Sequence, residues 1–400
     1  MPAHYNLRMI AEAAETPSGG RPDFPAIDIL RAVAALLVIV YHVIEIGRWT
    51  SFPITGPLLV ARAGWIGVDL FFVISGFVIG LSALQGHARE GTAFRASFAR
   101  RRLARIVPLY ALTALLFLLL VDPVLLMQPV STLAMHLGSH ALFVHNLHPT
   151  THGSINGPNW SVALEMQFYA AMMLAAPWMA RRAPLRLLAG LILMAWAWRA
   201  AVVWIVSASE ENAHRLHVFS SQLPGTLDAF GVGIALAMLV LAAGAGTGTR
   251  PGSPPHPLLR RLAPGWANFL LWGLASAVLF WLAMRTYWPR ASYWNQPGMI
   301  IFWRTLLAVS FGCVVAAAVT FPQPRALVLR PLRYLGQISY GLYLWHLPVL
   351  LTLVAIPGLT GARLLSLVVA GTVVLSAFSW HCFEKPFLRH AHGPRGPGRD

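Results

Sequence analysis

Residues 28–43 read DILRAVAALLVIVYHV, and apolar stretches of similar length recur along the rest of the chain. Each continues for about 20 residues, the length that an α-helix needs to cross the hydrocarbon core of a bilayer, without the alternation of a porin strand. The 400-residue chain is 57% hydrophobic and 11% charged, whereas soluble domains average roughly 45–50% and 25%. The sequence therefore predicts an all-α, polytopic membrane protein and excludes a disordered chain.

Eleven apolar stretches are candidate membrane spans. They cover residues 27–47, 64–84, 106–126, 131–147, 159–180, 186–206, 223–243, 266–284, 299–321, 335–356 and 363–383. The weakest is 131–147, because it is short and contains His136, His140 and His145.

The arginines indicate whether residues 131–147 cross the membrane, since cytosolic loops carry an excess of Arg and Lys. If this stretch does not span, 21 of the 30 basic residues lie on one side and six on the other, counting Arg363 at a helix edge. If it does span, clusters such as Arg181 and Arg182 face outward. The sequence therefore predicts a bundle of ten transmembrane helices with both termini cytosolic. The outer loop 122–158 is predicted to hold a re-entrant or interfacial segment near 131–147.

The chain is predicted to have one membrane domain, residues 27–383, between a disordered cytosolic leader, 1–26, and a cytosolic tail, 384–400. The leader lacks the apolar stretch of a signal peptide. Although the net charge is +16, the basic residues lie mostly between the apolar stretches, so they set topology and predict no nucleic-acid partner. Cys313 and Cys382 each lie in an apolar stretch, which excludes a disulfide framework, and the chain has no zinc-ligand spacing. We expect no metal.

Ionisable side chains inside the predicted spans are functional candidates, because each costs roughly 2.5–3.5 kcal/mol even on the lenient insertion scale. The predicted topology places several of them at one outer depth: His42, Glu45, Asp69, Glu165, Arg199, Asp228 and Arg304. This convergence predicts a polar, hydrated cavity that opens outward, in which Asp228 and Arg304 contact the substrate. The alternative is that Asp69, Arg199, Asp228 and Arg304 form structural ion pairs.

The first span connects this outer set to an inner one. Arg31 and His42 are eleven residues apart, about three helical turns, so they share a face and lie roughly 16 Å apart. Arg102 and Arg105 belong to the inner segment FARRRLARIVPLY, residues 98–110. Four arginines in six residues there exceed what orientation needs, although orientation alone is the alternative explanation.

Six motifs resemble those of the bacterial acyltransferase-3 family of membrane O-acyltransferases. They follow the family's order along nearly the whole apolar region: DILRAVAALLVIVYHV (28–43), GWIGVDLFFVISGFVI (64–79), RRLARIVPLY (101–110), NWSVALEMQFY (159–169), ISYGLYLWHLPV (338–349) and EKPF (384–387). The resemblance implies ten transmembrane helices, as the arginine count does. It also implies transfer of an acyl group, usually acetyl, from cytosolic acyl-CoA to a hydroxyl of a glycan outside the cell.

The family's site residues carry over to matching positions. Its Arg-x10-His pattern falls on Arg31 and His42, and its Arg-x-x-Arg pattern on Arg102 and Arg105. Its Trp-Ser-x-x-x-Glu pattern falls on three residues of the fourth motif, Trp160, Ser161 and Glu165. Because the chain ends 17 residues beyond Phe383, it resembles the stand-alone type without a fused esterase-like domain. We expect a multi-pass protein of the bacterial cytoplasmic (inner) membrane whose partners are acyl-CoA, a glycan or glycolipid acceptor and the lipid bilayer.

His42 is the predicted general base, because a sugar hydroxyl needs one at neutral pH and histidine has the best-suited pKa. A carboxylate is expected to orient its other nitrogen, with Glu165 favoured over Asp69 and Asp69 over Glu45.

CoA phosphates are expected to bind Arg31, Arg102 and Arg105, since guanidinium groups match phosphate geometry. Glu45, Trp160, Ser161, Tyr343 and His346 are candidate acceptor-binding residues, although packing is the alternative for His346. A ternary complex is favoured over an acylated His42.

Two other functions are open from the residues alone. A proton-coupled transporter or lipid-linked-sugar flippase would use the same carboxylates and histidine as a relay. Such proteins commonly have internal repeats and paired broken helices, and the sequence has neither signal. The ionisable residues of the outer set come from six predicted helices. A non-catalytic membrane sensor would not require such a convergence of charge.

Overall fold

The computed structural model describes residues 24–244, 257–289, 292–322 and 329–391, and this part of the chain is helical without any strand. It contains fourteen α-helices of seven residues or more. They are α1 (Pro25–Ile46), α2 (Gly67–Glu90), α3 (Phe94–Leu116), α4 (Val130–Ala141), α5 (Asn159–Met179), α6 (Pro184–Val206), α7 (Ala213–Ser220), α8 (Leu227–Gly244), α9 (Trp266–Tyr287), α10 (Arg304–Thr320), α11 (Arg330–Gln337), α12 (Ser339–Val354), α13 (Gly361–Ser379) and α14 (Lys385–Ala391).

Short segments of tighter or wider helix extend several of these elements. A 3₁₀ segment, Pro57–Ile66, precedes α2, and a π-helical turn, Phe117–Val121, continues α3. Two further π-helical turns, Met299–Trp303 and Trp380–Glu384, lead into α10 and α14. Each of the eleven predicted apolar stretches overlaps a helix, which confirms the all-α architecture.

The number of membrane spans is confirmed only in part. Among the described residues, seven helical stretches are long and apolar enough to cross a bilayer, or eight if a bent pair is one span. One of the seven, Pro57–Val121, holds both α2 and α3, whereas α5 with its 21 residues is not in the set. The ten spans and the cytosolic position of both termini therefore remain predictions.

Residues 131–147 form one short helix followed by irregular chain. At 12 residues α4 rises only about 18 Å, which is too short to cross a hydrocarbon core of about 30 Å. The helix ends at Ala141, and Phe143 adopts a positive φ of 54°. This geometry agrees with a segment that does not span.

Residues 335–356, predicted as one straight span, are instead a bent pair. The axes of α11 and α12 meet at 72° across Ile338, whose backbone is not helical. The two helices differ in composition: α11 carries Arg330 and Arg333 and has one polar face, whereas α12 is apolar and largely buried. A charged first turn cannot continue into the apolar interior at low cost, which explains the bend.

The predicted tail begins as ordered helix. Glu384 is buried at the end of a π-helical turn, and α14 follows it. The rest of the tail, 392–400, lies outside the described residues. So do 1–23 of the predicted leader and 245–256 of a predicted cytosolic loop.

Many large apolar side chains point outward from the helices. Examples with well over half of their surface exposed are Leu120, Trp204, Leu274, Val374 and Phe378. In water this much exposed apolar surface would drive aggregation, whereas in a bilayer it faces lipid. The exposure pattern therefore agrees with a multi-pass membrane protein.

The chain divides into two compact units. The first comprises residues 1–30, 69–95 and 167–327, and the second comprises 31–68, 96–166 and 328–400. In the first unit α2 and α8 pack backbone against backbone, because a Cβ on Gly76 would strike the carbonyl of Phe230 and one on Gly233 the carbonyl of Val73. Such close approach is how helices associate where lipid removes the hydrophobic driving force.

In the second unit, α12 and α13 pack through small residues, with Gly341 against Ser376. A separate apolar cluster combines Phe117, Leu118 and Ile155 with Leu351 of α12. These contacts hold the chain segment before α5 against α12, and α12 carries most of the histidine site described next.

Candidate active site

His42 lies in the second unit, three turns along α1 from Arg31. Its Nδ1 is 2.9 Å from the backbone carbonyl oxygen of Val38, one turn earlier, and 3.2 Å from Nε2 of His346. The two imidazole rings lie 5.0 Å apart between centroids and are inclined by 43°. The structure thus places a second imidazole beside His42, a contact that the sequence did not predict.

His346 is fully buried in α12. Its Nδ1 lies 2.7 Å from the carbonyl oxygen of Tyr343, three residues earlier on the same helix. The hydroxyl of Tyr343 forms a 2.7 Å hydrogen bond with Ser161 Oγ and donates a longer one to the carbonyl of Pro158. Ser161 is therefore joined to the helix that carries His346. The structure thus brings four of the predicted site residues, His42, Ser161, Tyr343 and His346, into one connected group.

The remaining residues of the Trp-Ser-x-x-x-Glu motif lie close by along α5. Trp160 stacks on His152 at 5.4 Å with its ring inclined by 24°, and Glu165 is partly buried one turn beyond Ser161. Glu45 is exposed near the end of α1. The roles predicted for Trp160, Glu165 and Glu45 stay predictions.

Arg105 is held by a set of groups that the sequence reasoning did not assign to it. Its guanidinium lies 3.7 Å from the buried carboxylate of Glu384 and donates a 3.3 Å hydrogen bond to the carbonyl of Gln337. Its Cζ also sits 5.0 Å from the ring centroid of Trp380 and 5.9 Å from that of Tyr340. An arginine with one carboxylate and two aromatic faces is fixed in position and partly neutralised.

The other two arginines assigned to CoA lie in the same unit. Arg102 is partly buried, with its Cζ 5.3 Å from the ring centroid of Phe98, one turn earlier on α3. Arg31 is partly buried in the second turn of α1. Binding of CoA phosphates by these residues remains a prediction.

The first unit contains two buried ion pairs among the residues predicted at outer depth. Arg304 donates to Asp69 Oδ1 from Nε at 2.9 Å and lies 2.8 Å from it through Nη2, and it also donates a 3.0 Å hydrogen bond to Ser221. Arg199 pairs with Asp228, and both side chains are buried. These are the pairs that the ion-pair alternative anticipated. Roles for Asp69 in orienting His42, and for Asp228 and Arg304 in substrate binding, stay predictions.

Hydrogen bonds through the hydroxyl of Thr305 surround the Arg199–Asp228 pair. Thr305 donates to Asp228 at 2.5 Å and accepts from Arg199 at 3.0 Å and from Trp196 at 2.8 Å. Arg199 also donates to the carbonyl of Ala195. Hydrogen bonds of this kind offset part of the cost of removing a charge pair from water.

A pair of buried histidines lies in the segment before α5. The rings of His140 and His145 stack in parallel, 3.8 Å apart. Burial lowers the pKa of His140 to about 4 and that of His145 to about 3, the latter also through the charge of its neighbour. Both imidazoles are therefore neutral at physiological pH. Among the described residues, no group of three His, Cys, Asp or Glu is placed to hold a metal ion.

The comparison with known protein families agrees with this arrangement. The profile of the acyltransferase-3 family, described as an acyltransferase domain, matches residues 24–383. The chain belongs to the acyltransferase-3 family. The match includes five of the six motifs, all but EKPF (384–387), and nearly all the helices described above, and it confirms the resemblance seen in the sequence.

Individual relatives in this family are distant but extend over most of the chain. A Komagataeibacter xylinus protein provisionally named membrane-bound transacylase BcsY is 28% identical over 87% of this chain and 77% of its own length. The peptidoglycan O-acetyltransferase OatA of Listeria monocytogenes is 23% identical over 92% of this chain. Nodulation protein 10 of Rhizobium leguminosarum is 28% identical over 94% of this chain and 95% of its own length.

The chain spans about half the length, 56%, of the Listeria enzyme that it matches. No solved structure matches the chain. Membership of the acyltransferase-3 family, together with the apolar helices, identifies the protein as a multi-pass membrane enzyme that transfers acyl groups.

Three contacts of this acyltransferase-3 site were missed at the sequence level. His346 was placed at an acceptor groove rather than beside His42, and Glu384 was assigned to the tail rather than to Arg105. Asn156 was not singled out at all, although its side chain contacts α12. Glu384 and His346 both belong to motifs of the resemblance, but a motif identifies a residue without identifying the residue that it contacts. His42 and His346 are 304 residues apart, so no local sequence pattern indicates their contact.

Proposed function

We propose that the chain transfers an acetyl group from acyl-CoA to a hydroxyl of a glycan or glycolipid, at the outer face of the bacterial cytoplasmic membrane, with His42 as general base. The named relatives support the class of reaction, since one is a peptidoglycan O-acetyltransferase. The observation that carries the proposal for this chain is the hydrogen bond that His42 makes to Val38.

A backbone carbonyl oxygen can only accept a hydrogen bond, so the His42 nitrogen that lies 2.9 Å from the Val38 oxygen must carry the proton. In a neutral imidazole the other nitrogen, Nε2, then keeps its lone pair. This bond to the α1 backbone supports the tautomer in which Nε2 is free to act as the base. General-base histidines commonly depend on such a bond to the second nitrogen.

The reaction then balances with His42 alone as proton carrier. Nε2 takes the proton of the acceptor hydroxyl as its oxygen attacks the thioester carbonyl carbon, and a tetrahedral intermediate forms. The C–S bond breaks, its electron pair goes to sulfur, and the proton passes from the imidazolium to the departing thiolate. The products are the glycan ester and free CoA, and His42 returns to its starting tautomer.

Arg31, Arg102 and Arg105 are proposed to bind the phosphates of CoA. All three lie in the second unit with His42, and guanidinium groups form short, charge-assisted hydrogen bonds with phosphate oxygens. Trp160, with its ring stacked on His152, is proposed to contact the acceptor glycan. The proposed orientation of the protein in the membrane, with His42 toward the outer side, rests on the distribution of arginines along the sequence.

Acetyl transfer by the purified, full-length protein in liposomes tests this function. The probes are radiolabelled acetyl-CoA with chitotetraose or soluble peptidoglycan fragments as acceptor, and free thiol release reports donor cleavage. His42→Ala and His42→Gln should reduce transfer by roughly 100-fold or more. His217→Gln, at a partly buried histidine of the first unit, is the matched control. Absence of transfer by the wild type, or near-wild-type transfer by folded His42→Ala, overturns the proposal.

Reporter fusions test the proposed orientation. Fusions after residues 150 and 215 should both report the outer side, whereas fusions after residues 90 and 250 should report the cytosol. If both 150 and 215 report the cytosol while 90 does too, residues 131–147 cross the membrane and the proposed outer position of the later site residues is inverted.

A further inference from the structure

We propose that His346 is the positioning residue for His42, in the place where a carboxylate is expected. This inference rests on the proposed role of His42 as base. The direct observation is the 3.2 Å contact between His346 Nε2 and His42 Nδ1, which joins α1 and α12 inside the second unit.

The donor and acceptor roles along this contact follow from its two ends. His346 Nδ1 lies 2.7 Å from the carbonyl oxygen of Tyr343, which only accepts, so Nδ1 carries the proton and Nε2 is an acceptor. His42 Nδ1 carries its proton for the same reason, because of the Val38 carbonyl. The single Nδ1–H of His42 is therefore shared between two acceptors, the Val38 carbonyl at 2.9 Å and His346 Nε2 at 3.2 Å, and both rings are neutral in the arrangement that leaves His42 Nε2 basic.

The position of His346 is fixed by its surroundings. The side chain is fully buried, so its imidazole has little freedom to turn away. Two anchors hold its helix: the Tyr343 hydroxyl on Ser161, and the side-chain amide of Asn156 on the carbonyl of Leu344 at 3.0 Å. A base whose orienting partner is immobile keeps its reactive nitrogen in one place.

An imidazole suits this location better than a carboxylate does. A buried carboxylate needs its own counter-charge, whereas neutral His346 offers an acceptor nitrogen without bringing a charge into the apolar interior. When His42 takes the proton of the acceptor hydroxyl, its Nδ1–H becomes a stronger donor. The bond to His346 then becomes charge-assisted and stabilises the imidazolium as it forms.

The test compares two substitutions that differ in one property. In His346→Gln the side-chain oxygen can reach the Nε2 position and accept from His42, whereas His346→Leu fills similar space without an acceptor. In the liposome assay His346→Leu should lower kcat on the order of 100-fold while KM for acetyl-CoA stays within about twofold, and His346→Gln should recover most of kcat. His217→Leu controls for loss of a histidine elsewhere in the fold.

A double variant separates positioning from stability. In the His42→Ala background, His346→Leu should cause no further loss of kcat, because a positioning residue acts through the base. Equal losses in His346→Gln and His346→Leu, additive losses in the double variant, or unchanged kcat in His346→Leu overturn the inference. If the wild type transfers acetyl and His42→Ala does not, such results leave the proposed function intact. If the wild type is inactive, the proposed function itself fails.

Discussion

Asn156 donates a hydrogen bond of 3.0 Å from its side-chain amide to the backbone carbonyl of Leu344. This carbonyl is the one that Pro348 leaves without a helical partner, since proline four residues later has no N–H to donate. Asn156 is fully buried and adopts a φ of +50°, a region that asparagine tolerates better than most residues. Asn156 thus has two roles: its side chain supplies the donor that α12 lacks beside His346, and its backbone forms a turn before α5.

We predict that Asn156→Gly destabilises the protein by about 1–3 kcal/mol, because the Leu344 carbonyl becomes a buried acceptor without a donor. Asn156→Ala should cost about 1–2 kcal/mol more, since alanine also disfavours the positive φ. Thermal unfolding of purified variants, followed by tryptophan fluorescence, measures both. If alanine and glycine variants unfold at the same temperature, the backbone contribution at this position is negligible.

Arg105 and Glu384 give a second prediction, which separates donor binding from structure. Arg105→Ala alone should destabilise the fold, because it leaves the buried Glu384 carboxylate without its counter-charge. Adding Glu384→Gln removes that charge, so the double variant should regain most of the lost stability. If Arg105 binds a CoA phosphate, the double variant should still bind acetyl-CoA about 10-fold or more weakly than wild type.

Glu384→Gln alone is the informative control for this pair. It frees the guanidinium from a competing carboxylate, so acetyl-CoA affinity should stay equal or increase. Binding of labelled acetyl-CoA to detergent-purified variants provides the measurement. Wild-type affinity in the double variant would return Arg105 to a purely structural role, holding α3 against the π-helical turn that leads into α14.

The comparison of sequence with structure separates local from non-local information. Hydropathy located a helix at each of the eleven apolar stretches, because about 20 continuous apolar residues have few other stable forms in a membrane. It did not locate the bend at Ile338, which depends on where the charged face of α11 gives way to the apolar α12. Burial of Glu384 was missed for a similar reason, since its partner Arg105 lies far away in sequence.

The site was predicted as a set of residues but not as a set of pairs. His42 and the four ionisable residues of the first unit were selected by the cost of placing them in a bilayer, a property of each residue alone. Partner choice depends on packing, and the sequence did not predict the contact of His346 with His42. Asp69 and Asp228 have arginine partners in the first unit.

Arg199 and Asp228 provide the third prediction, which tests whether Asp228 binds substrate. Asp228→Asn should destabilise the protein by about 3–5 kcal/mol, because it leaves the fully buried Arg199 charge unpaired. Replacing the pair by Arg199→Met with Asp228→Leu should recover most of that loss, since apolar residues of similar volume need no counter-charge. Unfolding temperature and kcat are measured on the same preparations. A stable double variant with wild-type kcat identifies a structural pair, whereas a stable but inactive one supports the predicted substrate role.

The stacked histidines before α5 give the last prediction, a pH dependence of stability. The pKa values of His140 and His145, about 4 and about 3, lie below the ordinary value of 6.5. In the unfolded chain the two histidines bind protons near pH 6.5, whereas in the folded chain they do not. Their contribution to the free energy of unfolding is therefore complete above pH 6.5. It declines as the pH falls from 6.5 toward 4 and 3, by roughly 1.4 kcal/mol per pH unit for each group.

The unfolding temperature should therefore fall between pH 7.5 and pH 5 in the wild type and fall less in the double variant His140→Gln with His145→Gln. His136 and His152 also face the pair, and both are kept unchanged in the two proteins that are compared. His148→Gln, at an exposed position in the same segment, is the matched control and should follow the wild type. Parallel curves for the wild type and the double variant would mean that the stacked rings are not kept neutral by burial.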